Sequence, residues 1–545
     1  MNKDVKYILV LIILAYFFFF FGNGLVSLTS PDEVFYVQTA KEMTQHHSWM
    51  TPILFDEPQF EKPILIYWLL RIAFLIFGIS SFSARFPPAC FALGGIIAVY
   101  FFAKLLFREE KKGFASALVL LSSCLYIGLA RTVFTDMVFS VLILFSLLSF
   151  YWGYVDERHK RTGIILFFVF SALAVLAKGP LGLLIPLMSV IVFLLLARRI
   201  KFILCKDAFL GLIVFFAIAL PWYIFMAAKY NQGFMREFFY NDHYRRLIEA
   251  EHSGNDTWYF YPLTMMGCMF PWSIFVGAAL VYTLWHMRKI NNSNLFLACW
   301  IAVTIIIFQF AHSKLTSYIF PMFPALAMIC GNFIHDSITD KGRQRQFFVC
   351  SVLTWFISIL IISGIIVFSL KFSYYLSSLR PDYFLISALI LWLVITEFCL
   401  LKNKSFMVFY LFVFFVPIFM LVVPFIHRDI EPYFSSKYAC EYLLNNYSQN
   451  AKAYLLCSKN FVRGTRFYTD MKVAVFAGSN FFSPHPIPFL DSDDKIKEFL
   501  HQQPLIYSFL KKSHLEDLKR VASDKFEYQV LKNIGDQYIV KIQQK

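Results

Sequence analysis

Long apolar runs recur along the chain from residue 6 to about residue 426, and short polar loops separate them. Each run can cross the roughly 30 Å hydrocarbon core of a bilayer as a helix. A soluble fold would need too many helices that are apolar on every side. The pattern therefore predicts an α-helical polytopic membrane protein with about 13 transmembrane helices. The predicted spans are 6–28, 86–107, 113–130, 137–154, 162–177, 180–197, 207–228, 259–285, 295–311, 317–335, 347–369, 382–400 and 405–426.

The distribution of Lys and Arg among the loops sets the predicted orientation. Segments 64–78 and 86–107 compete for the position of the second span. If 64–78 crossed the membrane, the basic loop 108–112 and several later basic loops would lie outside, against the positive-inside rule. We therefore place 64–78 along the outer interface, where Tyr67 and Trp68 suit such a helix. The N-terminus is then cytoplasmic, the C-terminus lies outside, and the long outer loops are 29–85 and 229–258.

The composition changes past His427, where apolar runs shorten and charges become more frequent. Strand-like and helix-like segments alternate there, which predicts a soluble α/β domain (427–545) after a transmembrane domain (1–426). Cys440 and Cys457 could form a disulfide if that domain is extracytoplasmic. The strand-like segments are Ala453–Leu456, Val473–Phe476, Leu505–Ser508 and Tyr538–Lys541, and the helix-like ones are Ser435–Tyr447, Asp494–His501 and His514–Ala522.

Composition supports this picture and removes some alternatives. Hydrophobic residues make up 59% of the 545, and the mean hydropathy is +0.60. The net charge of +15 fits basic cytoplasmic loops and anionic lipids. No segment resembles a nucleic-acid module, so we expect no nucleic-acid partner. The chain also has no CxxC pair, which argues against a zinc ribbon or a redox site.

The first long outer loop concentrates ionisable side chains in a chain with only 16% charged residues. Ionisable groups beside a bilayer are functional candidates, so this loop is the first candidate for an active site. Its polar motifs are Ser30-Pro31-Asp32-Glu33 followed by Tyr36, and Phe60-Glu61-Lys62-Pro63 followed by Tyr67-Trp68.

Other predicted outer turns carry residues of the same kinds. The segment from Arg131 to Asp136 ends in a carboxylate, for which a functional site and a solvated helix end are both possible. Lys314 could anchor a helix end or, with Tyr318 on the adjacent turn, bind a phosphate. Lys178 is interpreted as structural, because a lysine at a helix end can extend to the interface.

The second long outer loop places basic residues among aromatic ones. An amphipathic interfacial helix and a basic surface for an anionic head group are compatible interpretations, and we favour head-group binding by at least one arginine among Arg236, Arg245 and Arg246. His243 or His252 could join Glu61 in a zinc site, because histidine and carboxylate both suit zinc.

Together these outer segments predict a site that combines cationic, acidic and aromatic side chains. Cations suit a phosphate, carboxylates suit a sugar or an acceptor hydroxyl, and aromatic walls suit an isoprenoid or acyl chain. The chain has no Gly-rich phosphate loop and no Rossmann fingerprint, so we expect no nucleotide cofactor. An activated donor would then be lipid-linked and reached from the bilayer.

Four motifs carry a resemblance to a known family: Ser30-Pro31-Asp32-Glu33 after the first span, Phe60-Glu61-Lys62-Pro63 before Tyr67-Trp68, the spacing from Arg131 to Asp136, and Ser313-Lys314-Leu315-x-x-Tyr318-x-x-Pro321-x-x-Pro324. The chain resembles the C-type glycosyltransferases (GT-C fold) of the protein O-mannosyltransferase superfamily. Within them it is most similar to the bacterial branch that contains the aminoarabinose transferases. The resemblance covers most of the chain, including the soluble C-terminal part.

The resemblance implies roles for the outer-loop residues. Asp32 and Asp136 are similar to the paired catalytic-site acids, and His252 is the favoured histidine of the implied metal pair with Glu61. The candidates are, for catalysis, Asp32, Glu33 and Asp136; for substrate and lipid phosphate, Lys62, Arg245, Arg246, Lys314, Tyr318 and Tyr36; and for a divalent metal such as zinc, Glu61, His252 and His243.

The resemblance also implies an activity. The expected reaction moves 4-amino-4-deoxy-L-arabinose or a related amino sugar from undecaprenyl phosphate to lipid A or another glycolipid, on the periplasmic face of a bacterial inner membrane. One alternative is a polyprenyl-phosphate-hexose (mannosyl) transferase acting on protein or another glycolipid. The other is a polyprenyl-lipid transporter, which should show inverted repeats with ionisable groups near the membrane midplane. Here the charges gather at one surface.

Overall fold

A computed structural model describes residues 3–245, 255–286, 291–371, 380–447, 453–476, 487–522 and 526–545. The helices are α1 Lys3–Ala15, α2 Asp32–Gln45, α3 Leu65–Phe77, α4 Ser81–Phe107, α5 Glu110–Leu121, α6 Cys124–Ala130, α7 Thr135–Val155, α8 Lys160–Lys178, α9 Leu181–Leu196, α10 Lys206–Phe234, α11 Phe260–Cys268, α12 Ser273–Trp285, α13 Asn292–Gln309, α14 Phe323–Thr339, α15 Gln344–Lys371, α16 Arg380–Leu401, α17 Ser405–Met420, α18 Val423–Ile430, α19 Lys437–Tyr447, α20 Val462–Thr469, α21 Asp493–Gln502 and α22 Lys512–Ala522.

Short helical turns and strands complete the described chain. The π-helical segments are Tyr16–Phe20 and Met235–Arg245, and the 3-10 turns are Glu157–His159, Ile200–Phe202, Thr316–Met322, Glu431–Tyr433 and Lys459–Phe461. The strands are β1 Ile53–Leu54, β2 Glu57–Pro58, β3 Tyr454–Ser458, β4 Val473–Phe476, β5 Phe489–Leu490, β6 Leu505–Leu510, β7 Phe526–Ile534 and β8 Gln537–Gln544.

The predicted spans coincide with apolar helices in the described residues. Eight of these helices are unbroken and long enough to cross a membrane. The other predicted spans correspond to shorter or interrupted helices, which the sequence pattern did not show. In one of them, 113–130, α5 and α6 meet at an angle of 68°. The multi-pass helical membrane architecture is thus confirmed.

The segment predicted to lie at the interface forms α3. A helix of 13 residues is about 20 Å long, which is shorter than the hydrocarbon core. Ile66 and Tyr67 are buried, whereas Leu75 and Ile76 on the other side are exposed. Arg71 donates to the carbonyl of Ser48. Its length and one-sided burial fit a helix that lies along the membrane surface.

The C-terminal part forms a six-stranded sheet with the order β5-β4-β3-β6-β8-β7. Strands β5, β4, β3 and β6 pair in parallel, and β8 pairs antiparallel with both β6 and β7. Each predicted strand-like and helix-like segment overlaps an observed strand or helix, so the predicted α/β fold is confirmed. The domain boundary at residue 427 stays a prediction. Cys440 and Cys457 are both buried, free thiols.

The sheet domain docks on the first outer loop through α20, which packs against α2. Lys41 on α2 pairs with Asp470 at 2.8 Å and donates to the carbonyl of Phe467 at 2.7 Å. Arg466 on α20 pairs with Asp56 of the same loop at 2.7 Å. The domain therefore lies on the same side of the helical bundle as the loop that carries the candidate site.

Candidate active site in the outer loops

The motif Ser30-Pro31-Asp32-Glu33 forms the start of α2. Both acidic residues lie in the first helical turn, where a negative charge complements the helix dipole. The two neighbouring side chains have opposite environments. Asp32 is exposed, whereas Glu33 is completely buried.

Glu33 is saturated with hydrogen bonds. One carboxylate oxygen accepts from Arg85 Nε at 2.7 Å and from the Val133 amide at 3.1 Å. The other accepts from Arg85 Nη2 at 2.7 Å and from the Thr29 amide at 2.9 Å. Arg85 also donates to backbone carbonyls of the preceding loop, including that of Ser27. This pair fixes α2 against α4 and the loop before α7, so the geometry favours a positioning role for Glu33 over a chemical one.

Asp136 lies in the first turn of α7 and is 6% exposed. Its carboxylate pairs with the ammonium of Lys178 at 2.5 Å. Lys178 is the last residue of α8, and Gly179, with a φ of 92°, ends that helix. The Lys178 ammonium also lies 5.1 Å from the centroid of the Tyr318 ring. The structure thus joins Asp136 and Tyr318 through a lysine that the sequence reasoning had interpreted as structural.

Tyr36 connects α2 to this cluster. Its ring centroid lies 6.2 Å from that of Phe134, two residues before Asp136, and 6.4 Å from that of Tyr67. Since Tyr36 stands one turn after Asp32, the two candidate acids lie on adjoining segments. Burial and the nearby Tyr36 and Glu61 raise the pKa of the Tyr67 hydroxyl.

The motif with Glu61 and Lys62 lies between α2 and α3, and both side chains are half-buried. The Glu61 amide donates to the Gln59 side chain at 2.9 Å, and Gln59 donates to the Tyr67 hydroxyl at 2.5 Å. The Phe60 ring packs against Tyr230, with 5.1 Å between the centroids. Tyr230 belongs to the predicted second long outer loop, but α10 continues through it to Phe234. The two long outer loops therefore meet beside this motif.

Lys314 is buried and paired with an acid that the sequence reasoning did not single out. Asp256 accepts from Lys314 at 3.1 Å and bonds His312 at 2.7 Å. Hydrogen bonds from His312 and Lys314 lower the pKa of the Asp256 carboxyl. Lys314 also donates to the carbonyl of Thr257 at 3.1 Å. This network holds the turn before Tyr318 against the second long loop.

The remaining candidates lie at the edge of the described chain. Arg245 is exposed at the end of the segment Met235–Arg245. Arg246, His252 and the side chain of His243 lie outside the described residues. Among the residues that the structure describes, no three His, Cys, Asp or Glu side chains form a group suited to a metal. Because the predicted metal pair needs one of those histidines, zinc binding through Glu61 stays a prediction.

The C-terminal domain also reaches this site, which no sequence motif indicated. Arg463, in the first turn of α20, lies with its guanidinium 4.8 Å from the centroid of the Phe35 ring. Its Nη1 donates to the carbonyl of Pro31 at 3.4 Å. Burial lowers the pKa of Arg463, while the charges of Glu61 and Asp32 act to raise it. The site thus combines exposed and buried acids with cations and tyrosines, an arrangement suited to a charged sugar–phosphate substrate.

Comparison with known proteins shows which families and relatives this chain is similar to. Residues 61–225 match the family model described as dolichyl-phosphate-mannose-protein mannosyltransferase. A protein from Photorhabdus laumondii named undecaprenyl phosphate-alpha-4-amino-4-deoxy-L-arabinose arabinosyl transferase is 27% identical over 348 residues, or 63% of this chain and 62% of that protein. A relative of the same name from an Enterobacter species is 29% identical over 331 residues, or 60% of this chain and 59% of the relative. The match thus spans about three fifths of these relatives.

The fold has a close counterpart among solved structures. The structure of ArnT from Cupriavidus metallidurans bound to undecaprenyl phosphate superposes with a TM-score of 0.80 at 17% identity, over 98% of each chain. The fold of this chain is that of the C-type glycosyltransferases. The predicted resemblance to the aminoarabinose transferases is confirmed by the sequence matches to the relatives of that name.

Proposed function

We propose that this protein is a glycosyltransferase that moves 4-amino-4-deoxy-L-arabinose from undecaprenyl phosphate to lipid A. The names of the relatives support the sugar and the carrier. The observation that carries the proposal is the cluster at the outer loops, where Asp136, Lys178 and Tyr318 adjoin the helix that begins with Asp32. Such a cluster offers acids for the sugar or acceptor and cations for the phosphate.

The proposed reaction breaks the bond between the anomeric carbon and the phosphate oxygen of the donor. The polyprenyl phosphate leaves with the electron pair, and an oxygen of the acceptor forms the new bond to the anomeric carbon. Negative charge develops on the leaving phosphate, so preorganised cations lower the barrier. Lys62 and Arg245 or Arg246 are the proposed phosphate contacts, and Tyr318 and Lys178 stand beside Asp136.

The acceptor decides the role of Asp32. A hydroxyl acceptor must lose its proton, which Asp32 would take as a general base. A phosphate acceptor on lipid A is already an anion near neutral pH, so Asp32 would orient the sugar, for instance by pairing with its amino group. Replacing Asp32 by Asn should therefore abolish transfer to a hydroxyl and only weaken transfer to a phosphate. Equal loss with both acceptors would contradict this division of roles.

We further propose that the protein lies in a bacterial inner membrane with a cytoplasmic N-terminus and a periplasmic C-terminal domain. The distribution of basic loops supports this orientation, because Lys and Arg concentrate in cytoplasmic loops. The periplasmic side would give the site access to lipid A and to the sugar carried by undecaprenyl phosphate.

The test is transfer in vitro by the purified full-length protein. Undecaprenyl-phosphate aminoarabinose is incubated with purified lipid A, and the product is analysed by mass spectrometry. The proposal expects a pentosamine adduct that depends on the protein and is lost in Asp136→Asn. Unchanged lipid A with this donor would refute the proposal.

A hexose transferase is the second candidate, because the matching family model is described as a mannosyltransferase. The same assay with a polyprenyl-phosphate mannose donor, and with protein or glycolipid acceptors, separates the two. Transfer of hexose in place of aminoarabinose would establish this alternative.

A further inference from the structure

We propose that the C-terminal domain completes the active site by supplying Arg463, a positioning residue for the carboxylates of Asp32 and Glu61. This inference rests on the proposed function and adds a component of the site that lies more than 400 residues away in the chain. The C-terminal domain then contributes to the transfer reaction and does not only pack against the membrane domain.

The close approach of α20 to the first outer loop places Arg463 there. Gly464 lies so close to the loop that a Cβ atom at this position would be 2.8 Å from the Ser30 hydroxyl and 2.7 Å from the Ser436 hydroxyl. Both distances are shorter than normal packing allows, so the absent side chain permits the contact. The neighbouring Arg463 is thereby held at Pro31, one residue before Asp32.

The surroundings of Arg463 are those of the predicted site. Its guanidinium lies against the Phe35 ring of α2, one turn after Asp32. The charges of Glu61 and Asp32 act on it. The Phe35 ring that it contacts packs against Tyr36, whose ring centroid lies 6.4 Å from that of Tyr67. A half-buried guanidinium on which the charges of acids from two separate motifs act is suited to orient both carboxylates, because its planar fork donates in defined directions.

Other residues hold the domain in place. Lys41 pairs with Asp470 at the far end of α20, and Arg466 pairs with Asp56 and with the buried Glu42. Backbone contacts such as the Ser30 amide with the Phe434 carbonyl, at 2.9 Å, also join the two parts. Removing the charge of Arg463 should therefore disturb the carboxylates more than the docking of the domain.

The test measures transfer by full-length variants with the donor and lipid A described above. Arg463→Met should lower kcat by roughly tenfold to a hundredfold, because a misplaced catalytic group slows a reaction by about that factor. Arg463→Lys should recover part of the rate. Millimolar guanidinium should raise the transfer rate of Arg463→Ala and should leave the rate of the wild type unchanged. The double variant Asp32→Asn/Arg463→Met should lose less activity than the two single losses multiplied together, since both changes act on Asp32.

Two matched controls separate positioning from stability. Arg520, in the same domain, is 76% exposed, so Arg520→Met should leave the rate unchanged. Lys41→Met should lower the melting temperature, and guanidinium should not restore any transfer activity that this variant loses. Wild-type activity in Arg463→Met would overturn the inference. The inference would also be overturned if the transfer activity lost in Arg463→Met or Arg463→Ala were recovered neither by Arg463→Lys nor by guanidinium, and if it fell in parallel with the melting temperature, as expected for Lys41→Met. A wild-type protein without transfer activity would refute the proposed function itself, and the inference with it.

Discussion

Asp32 and Glu33 are adjacent in the sequence, yet the structure gives them different tasks. Asp32 is exposed, whereas Glu33 shares a buried ion pair with Arg85. Glu33→Gln should destabilise the protein by about 3–5 kcal/mol, because it leaves the buried Arg85 charge without its partner. Asp32→Asn should leave the melting temperature nearly unchanged and should reduce transfer. Thermal unfolding in detergent and the transfer assay measure both effects.

Arg85→Met provides the matched control for the Glu33 prediction. It removes the other half of the ion pair and should also destabilise strongly, and the double variant should be less damaged than the sum of the single variants. A stable, inactive Glu33→Gln protein would instead indicate that Glu33 takes part in the chemistry.

Asp136 and Lys178 form the second residue-level test. Their side chains are 9% and 18% exposed, so each single replacement leaves a largely buried charge unpaired. Asp136→Asn and Lys178→Met should each destabilise, and the double variant should recover roughly 0.5–3 kcal/mol relative to their sum. Transfer should be lost in all three if both groups face the substrate. Full transfer activity in Lys178→Met would place Lys178 outside the reaction.

These residues show what the sequence could and could not predict about the site. Counting spans placed Asp32 and Asp136 on the same side, because each apolar run reverses the direction of the chain. It could not predict that Lys178 pairs with Asp136 or that Asp256 pairs with Lys314, because such contacts join segments far apart in the sequence. Arg463 was missed for the same reason.

At the scale of elements, the contact between α2 and α20 contains a buried acid. Burial raises the pKa of the Glu42 carboxyl above its ordinary value of 4.5. The folded protein therefore holds this proton more tightly than the unfolded chain does. Glu42 contributes stability that is fully present below pH 4.5 and is lost as the pH rises through the higher pKa of the folded state.

Glu42→Gln should remove that part of the pH dependence, because glutamine does not titrate. The melting temperature of the wild type should fall relative to that of Glu42→Gln as the pH rises above 4.5. Glu527→Gln, at an exposed position on β7, is the control and should follow the wild type. Parallel curves for the wild type and Glu42→Gln would show that Glu42 does not titrate differently in the folded state.

The helices also show which structural feature an apolar pattern does not predict. Runs 113–130 and 259–285 were each predicted as one span, yet the structure divides them into α5 and α6, and α11 and α12. An apolar run predicts burial in lipid or protein, but not continuity, because apolar residues on both sides of a break can be buried equally well. Four of the six strands described in the C-terminal sheet were predicted, because polar segments separate them, whereas β5 and β7 were not predicted.

At the scale of the whole molecule, the docking of the sheet domain constrains the topology. Since Lys41 and Asp56 of the first outer loop pair with Asp470 and Arg466, that loop and the C-terminal domain must lie on one side of the membrane. The predicted number of spans is odd, so the two termini lie on opposite sides and the C-terminus lies on the side of the first outer loop. The contact agrees with this prediction. The contact puts the loop and the domain on one side, and the charge distribution predicts that this side is the outer one.

The final prediction tests this arrangement directly. An epitope tag after Lys545 should bind antibody on intact spheroplasts, because the C-terminal domain is expected on the outer face. A tag inserted between Arg198 and Arg199, in an exposed basic turn after α9, should bind only after permeabilisation. Each tagged protein must retain transfer activity, so that only correctly folded molecules are compared. If both tags are reached from outside, or the loop tag alone, the predicted topology is wrong. The site would then face the cytoplasm or be divided between the two sides, where it could not act on a periplasmic acceptor.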